Sequence, residues 1–316
     1  MSDFEDIEDL IKMIKDNNEN LTNLDHNRYG FLLEEESGIA IAVALLKNTR
    51  ITSLDLGNNG FGPGFGEAIA GVLERNTTIT TLNVQHSDIG EVGSLAILGA
   101  LQRNTTLKTL NLELSYFSKE SFGLAVASML EMNTTLTTLN LDANELGELG
   151  GVAVAGALER NTTLTTLYIR HTNLGEVGVA AVAGALEKNT TLTALDLGCN
   201  GLKEIGGVAV AGALESNTTL TTLDLGFNDI GEDFGVAVVR ALENNTTLTE
   251  LDLTFNNLGE VSGVAIAGAL EKNTTLTKMD LDKNIPNYKE IQDILSKREP
   301  PAESPLVKAA IPSIPR

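Results

Sequence analysis

Leucine, or a close substitute, returns at fixed offsets along most of this chain. In residues 220–230, LTTLDLGFNDI, apolar side chains stand at Leu220, Leu223, Leu225 and Ile230, and residues 248–258, LTELDLTFNNL, repeat the spacing. An apolar-x-x-apolar-x-apolar start closes in period-two alternation, which predicts a short strand with one buried face. Gly-Glu follows Ile230, and the Ala- and Val-rich stretch up to Leu242 predicts a helix. In the copy at 133–160, Val154 and Leu158 lie four apart and share the helix's buried face. Asn228 follows the strand at a fixed offset, as do Asn59, Asn144, Asn200, Asn256 and Asn284, with Ser87, Ser115 and Thr172 standing in elsewhere. A side chain that both donates and accepts satisfies backbone groups where strand pairing ends. Asn245, just past the predicted helix, is expected in the left-handed conformation of a C-terminal cap.

The unit is marked by Asn-Thr-Thr-Leu or a close variant at Asn76, Asn104, Asn133, Asn161, Asn189, Asn217, Asn245 and Asn273, with a degenerate copy at Asn48; the step is 28 residues except for one of 29 after Asn104. Such a period marks a solenoid, in which no unit buries its apolar face alone and each stacks on its neighbours. Strand, turn, helix and turn make a right-handed parallel unit. The expected fold is therefore α/β, a horseshoe with a parallel β-sheet on its concave face and α-helices on its convex face. The pattern LxxLxLxxNxL resembles a leucine-rich repeat, and the 28-residue length with the tail xxALExNTT is similar to the ribonuclease-inhibitor-like class. The front end, FEDIEDLIKMIKDNNENLTNLDHNRY, resembles the entry into the leucine-rich domain of tropomodulins, the actin pointed-end capping proteins. That likeness implies actin or cytoskeletal regulation as an alternative role. Similar repeats in effectors of intracellular bacteria imply a protein delivered into a host cytosol.

The same ruler divides the chain. Residues 1–47 read as a capping helix, with Phe4, Ile7, Leu10, Ile11 and Ile14 at helical spacing, plus a degenerate first repeat. Nine repeats fill 48–284. Tyr288, Ile291, Ile294 and Leu295 mark a closing helix within 285–298, and residues 299–316 hold five of the seven prolines, a composition that predicts a flexible tail. Lys and Arg number 22 against 43 acids, for a net charge of −21, which disfavours nucleic acid and anionic lipid and favours a protein partner with a basic surface. Cys199 is the only cysteine, so no intrachain disulfide forms, as suits a reducing compartment. The acidic start lacks the features of a secretory signal, and no apolar run reaches membrane-spanning length. A cytoplasmic monomer is expected.

Chemistry is sparse. His86 and His171 share a repeat column but lie three repeats apart, about 15 Å at the strand spacing, too far for one metal ion. Cys199 follows His171 by one repeat, so a thiol enzyme built on that pair is the catalytic alternative. No Gly-rich phosphate motif occurs. Neither metal, cofactor nor catalysis is expected.

Partner binding is expected on strand positions that face away from the core. One column reads Asp55, Asn83, Asn111, Asn140, Tyr168, Asp196, Asp224, Asp252 and Asp280. Four aspartates about 5 Å apart repel one another and raise their pKa values, a strain that a cationic partner would relieve. The competing reading is that repeats were copied with aspartate already in place. Glu250 extends the acidic patch; Lys278 and Lys283 limit it. Tyr168 interrupts the column and brings Arg170 and His171, residue types favoured as interface anchors. The next column adds Phe227 and Phe255, either exposed in an acidic trough or tucked under the turns. The extra residue of the third repeat falls near Tyr116 and Phe117 and predicts a rim loop. A helix column of Gly71, Gly99, Ser128, Gly156, Gly184, Gly212, Arg240 and Gly268 is read from Arg240 as bordering the convex surface. These features together predict a non-catalytic protein-interaction scaffold that holds its partner on the concave acidic face.

Overall fold

The computed structural model describes residues 7–26, 33–115 and 120–298. They form two compact units, one running through Ser118 with Ser128–Asn144, the other Lys119–Ala127 with Glu145 onward. Tyr116, Phe117, Phe4 and the proline-rich segment 299–316 lie outside the described residues.

In the first unit α1 (Ile7–Lys15) precedes five strands, β1 (Asn23–Asp25), β2 (Ser53–Asp55), β3 (Thr81–Asn83), β4 (Thr109–Asn111) and β5 (Thr138–Asn140). Between them come α2 (Glu35–Leu45), α3 (Pro63–Leu73), α4 (Gly90–Leu101) and α5 (Glu120–Met132), whose first residues, to Ala127, cluster with the second unit. The second unit alternates α6 (Gly147–Leu158), β6 (Thr166–Tyr168), α7 (Gly175–Leu186), β7 (Ala194–Asp196), α8 (Lys203–Ser216), β8 (Thr222–Asp224), α9 (Glu232–Asn244), β9 (Glu250–Asp252), α10 (Glu260–Lys272) and β10 (Lys278–Asp280), and closes with α11 (Tyr288–Leu295). Within each unit the strands are parallel, in chain order and in strict register: Leu54 pairs Leu82, which pairs Leu110, and Leu195 pairs Leu223, which pairs Leu251. Those leucines are at most 1% exposed and form the core with the inner faces of the helices, including Val154 and Leu158.

Three-residue strands hold few hydrogen bonds of their own, so side chains carry much of the stacking. Two buried asparagine ladders do this. At the first, Asn200 Nδ2 donates to Ile169 O of the preceding repeat at 2.7 Å and to Leu197 O at 3.1 Å, while its Oδ1 accepts the Thr172 N–H at 3.0 Å. Asn228 and Asn256 repeat the arrangement, and each rung takes the N–H of the rung before it. The ladder ends at Asn284, which is exposed.

The second ladder is the asparagine of Asn-Thr-Thr. Asn245 Oδ1 accepts the N–H groups of Thr247 and Leu248, at 2.9 and 2.7 Å, and Nδ2 donates to Leu214 O and Asn217 O of the repeat before, at 2.9 and 3.0 Å. Its backbone is extended (φ −75°, ψ 128°), not left-handed as expected of a helix cap. The amide needs that geometry to close its own turn and reach back one repeat at once. Threonine adds a further rung, since Thr221 Oγ1 donates to Thr193 O at 3.0 Å. At the far end Arg298 takes over the role of an asparagine that does not follow: its guanidinium donates to Leu270 O, Asn273 O and Leu276 O, the first two being the carbonyl positions that Asn273 caps one repeat earlier.

Neighbouring helices approach closely where glycine permits. A Cβ on Gly66 would lie 2.4 Å from Gly93 Cα, so no larger residue fits. The other helix glycine column has no such role. Gly156, Gly184 and Gly212 face open space, consistent with the exposed Arg240 in their column. Helix starts are tied forward by glutamate: Glu232 Oε1 accepts the Val261 N–H at 3.0 Å, which satisfies an orphan donor and places a carboxylate at the positive end of α10.

Two opposite stability changes follow. Gly184→Ala or Gly212→Ala should each stabilise by about 0.5–1 kcal/mol, because alanine lowers unfolded-chain entropy and meets nothing. Asn228→Ala should cost about 3 kcal/mol by leaving several buried backbone groups without partners. Urea denaturation of the single variants measures both; an Asn228→Ala cost below that of an ordinary surface change would show the ladder to be dispensable.

Candidate functional site

On a three-residue strand whose middle side chain is buried, the first and third point to the opposite face. The third position is the aspartate and asparagine column, and the structure gives it a local duty. Its side-chain oxygen accepts the backbone N–H two residues on: Asn111 from Glu113 at 2.8 Å, Asn140 from Asp142 at 2.8 Å, Asp196 from Gly198 at 2.8 Å, Asp224 from Gly226 at 2.7 Å and Asp252 from Thr254 at 2.8 Å. Asp55 and Asn83 do the same for Gly57 and Gln85. A short side chain with an acceptor serves this turn, which favours Asp or Asn whatever binds above it, with Tyr168 of β6 the exception. The column also begins one repeat earlier than the repeat count suggested, because Asp25 pairs in register with Asp55.

The two units use the column differently. In the first, amides neutralise it: Asn83 Nδ2 donates to Asp55 Oδ1 at 3.0 Å, Asn111 to Gln85 Oε1 at 2.8 Å and Asn140 to Glu113 Oε2 at 3.3 Å. In the second, aspartates follow one another and lack the amide N–H donors of the first. Asp196 is pushed up to about 7, first by burial and then by the charge of Asp224; the Gly198 N–H and Arg170 oppose the shift. Asp224 is raised by burial, with Asp252 adding to it and the Gly226 N–H and Arg170 working against it. Burial thus outranks the mutual repulsion expected from spacing. Asp55 is raised chiefly by burial as well.

Arg170 is the internal counter-ion. Its Nη1 lies 3.5 Å from Asp224 Oδ2, and its guanidinium sits 5.3 Å from the Phe227 ring centroid. Phe227 in turn stacks on Phe255 with centroids 4.2 Å apart and planes 20° from parallel. These two rings are 47% and 60% exposed, so they do not tuck under the turns. Each holds a left-handed backbone (φ 62° and 57°) shared by Asn58, His86, Leu114, Ala143, His171 and Cys199 of the same column. The conformation belongs to the repeat; the aromatic choice belongs to this unit. At the lower edge Lys278 lies 3.2 Å from Asp280 and 3.8 Å from Glu250.

Several of the expected contact residues offer little surface. Asn83, Asn111, Tyr168, Asp196 and Glu250 are at most 8% exposed. Asp224 and Asp252 are half-buried, as is Asp280, and His171 is exposed. The surface that remains open therefore centres on Phe227, Phe255 and the outer oxygens of Asp252 and Asp280. The rim-loop residues Tyr116 and Phe117 fall outside the described residues. The Cys199 thiol is pushed up by burial, against the pull of Arg170 and with the push of Asp196 and Asp224, which is opposite to what an activated nucleophile needs. Among the described residues no three acids, histidines or cysteines gather to hold a metal ion, and no helix is long and apolar enough to cross a membrane.

Comparison with known proteins agrees with this architecture. The profile of the TMOD/LMOD leucine-rich domain matches residues 169–298, and a leucine-rich repeat profile matches 75–98 and 133–155. The leucine-rich repeat protein LegL7 of Legionella pneumophila is similar in structure at 20% identity, covering 88% of this chain and 90% of its own, with a TM-score of 0.52. Leiomodin-1 actin-binding site 2 (28% identity, 50% of this chain, 91% of its own, TM-score 0.44) and the tropomodulin C-terminal domain of Caenorhabditis elegans (12%, 46% and 90%, TM-score 0.42) are also similar. No curated protein matches. The chain is a leucine-rich repeat protein whose scaffold fold supports protein binding.

The raised Asp196 gives a pH test. Its folded pKa of about 7 lies above its value of about 3.9 in an unfolded chain, so the folded state holds a proton that the unfolded state has lost between those limits. That contribution is full below pH 4 and is lost as pH rises through 7. Asp196→Asn keeps the acceptor for Gly198 and cannot ionise, as Asn111 shows. It should stabilise by about 1–2 kcal/mol at pH 8 and less at pH 5. Denaturation at the two pH values checks it; a gap independent of pH sinks the assignment.

Proposed function

We propose that this protein is a non-catalytic recognition scaffold that holds a protein partner against the strand face of its second unit. The observation that supports the reading is the stacked, solvent-exposed Phe227 and Phe255 beside a run of aspartates. A left-handed position in a leucine-rich repeat is cheapest for asparagine or glycine, so two phenylalanines there cost backbone stability while about half of their surface stays open to solvent in the isolated chain. A partner that covers both rings recovers that area, and a Lys or Arg beside its apolar contact answers Asp252 and Asp280. Arg170, seated on Phe227 and Asp224, marks the chemistry this surface accepts. The single, partly buried cysteine fits a reducing setting, the chain's own cytoplasm or a host's.

Replacing both rings by asparagine, the residue at the same position in an earlier repeat (Asn58), separates binding from folding. Phe227→Asn with Phe255→Asn should leave the melting temperature unchanged or higher. Retention of the partner in pull-down should fall by about tenfold or more, the loss typical of interface anchors. Undiminished retention at preserved stability would remove the strand face from the reading.

A second reading, regulation of actin filaments, is favoured by the profile match over residues 169–298. Pyrene-actin elongation decides it: slowed elongation at micromolar protein supports the reading, and unchanged rates exclude it.

A further inference from the structure

The helices of the second unit are apolar on the side that faces away from the strands. Leu149, Val177, Ile205, Val208, Val236 and Val264 are 42–66% exposed, although α6 to α10 already bury their inner faces on the core. Leu149, Val177 and Ile205 occupy one repeat position, and Val208, Val236 and Val264 another, one helical turn further on. Adjacent helices pack on one another at the usual spacing of about 10 Å, so these side chains make a field across five helices, interrupted on α9 by the exposed Asp233 at the first position. Gly156, Gly184, Gly212 and Gly268 lie farther along the same surface with open space where a Cβ would stand, which lets another backbone come close. Between Glu148 and Glu159 on α6, between Glu176 and Glu187 on α7, and between Glu204 and Glu215 on α8, no charged residue occurs. A monomer rarely keeps an apolar patch beyond about 300–600 Å² without a use for it.

The borders indicate the occupant. At the helix starts Glu148, Glu176, Glu204, Glu232 and Glu260 form an acidic rim, whose one cation, Lys203, is 3.0 Å from Glu176. At the other edge Lys188 and Lys272 are held by Glu159 and Glu243 at 2.9 and 2.7 Å. A second copy of this chain would set acid against acid, and an anionic membrane would be repelled by the same rims. We propose that the outer face of α6 to α10 is a second protein-docking surface, built for an amphipathic helix whose apolar ridge is flanked by lysine or arginine. The surface is distinct from the strand face and does not depend on it.

The test uses the full chain and a fluorescein-labelled 18-residue amphipathic helix of Leu and Lys, with a Leu/Glu helix of the same pattern as control. Fluorescence anisotropy should detect the Lys peptide, more weakly at high salt, and not the Glu peptide. Ile205→Asn, Val208→Asn and Val236→Asn together should weaken binding by about tenfold or more, since three exposed apolar contacts are lost. Phe227→Asn with Phe255→Asn should leave it within about twofold, because those rings lie on the other face. Arg240→Glu, which exchanges the one cation within the field for an acid at an exposed position, should tighten it about threefold. The proposal is overturned if the triple variant and Arg240→Glu both bind like the parent, or if the Glu peptide binds equally. Dimerisation in light scattering that the triple variant abolishes would overturn it as well, and so would retention of the parent on neutral phosphatidylcholine vesicles.

Discussion

A buried amide that satisfies its own turn and the carbonyls of the preceding repeat is the contact on which this structure rests. Strands of three residues cannot fix a register, and leucine packing is tolerant of small slides. The asparagine side chain is not tolerant. Asn228 and Asn245 each bond at two distances along the chain, within the repeat and one repeat back, and both ends must meet for either to be satisfied. Leaving such a group unpaired costs about 1–3 kcal/mol, so each rung penalises any shift of its neighbours. Where the ladders stop, the protein improvises: Arg298 covers the open carbonyls at one, and Asn284 turns to solvent at the other.

The same economy governs the strand face. Asp and Asn recur there because the turn needs an acceptor, and that need makes the acidic column partly a structural requirement. What the turn leaves undetermined is the choice between the two. The first unit takes amides, which donate to neighbouring oxygens, as Asn83 does to Asp55. The second takes aspartates, which bury poorly and lean on Arg170 for compensation. Around that arrangement the aromatic pair is the freest decision, since the backbone at Phe227 accepts asparagine elsewhere in the chain. The outer helix face shows a comparable freedom, with valine where a glutamate or lysine would be equally compatible with folding.

Much of the architecture was legible because it repeats. Leucine offsets gave strand and core, the Asn228 column was read as a hydrogen-bonding device, and Arg240 correctly placed its column outside. Structure and sequence pattern part where one residue answers to two neighbours. Asn245 resembles a helix cap in isolation, yet its extended backbone follows from the carbonyls of the repeat before it. Spacing suggested that repulsion governs the aspartates, whereas burial dominates, and burial depends on what surrounds Asp196 rather than on its intervals. The exposed valines are not legible in the sequence, because helices that are apolar on every side give no period to separate inner from outer.

By itself the sequence determined the repeat, its strand and helix, and the positions at which side chains are committed to the core, since hydrophobic period and turn chemistry are local. Only the tertiary structure decided how those positions meet: that Asp224 shares Arg170 with Phe227, that two phenylalanines stack in solvent, that Asp196 is buried, and that five helices align their outer valines into one field. The Arg170 contacts and the ring stack join residues 28 or more positions apart, and their distance is set by stacking of repeats rather than by the chain between them.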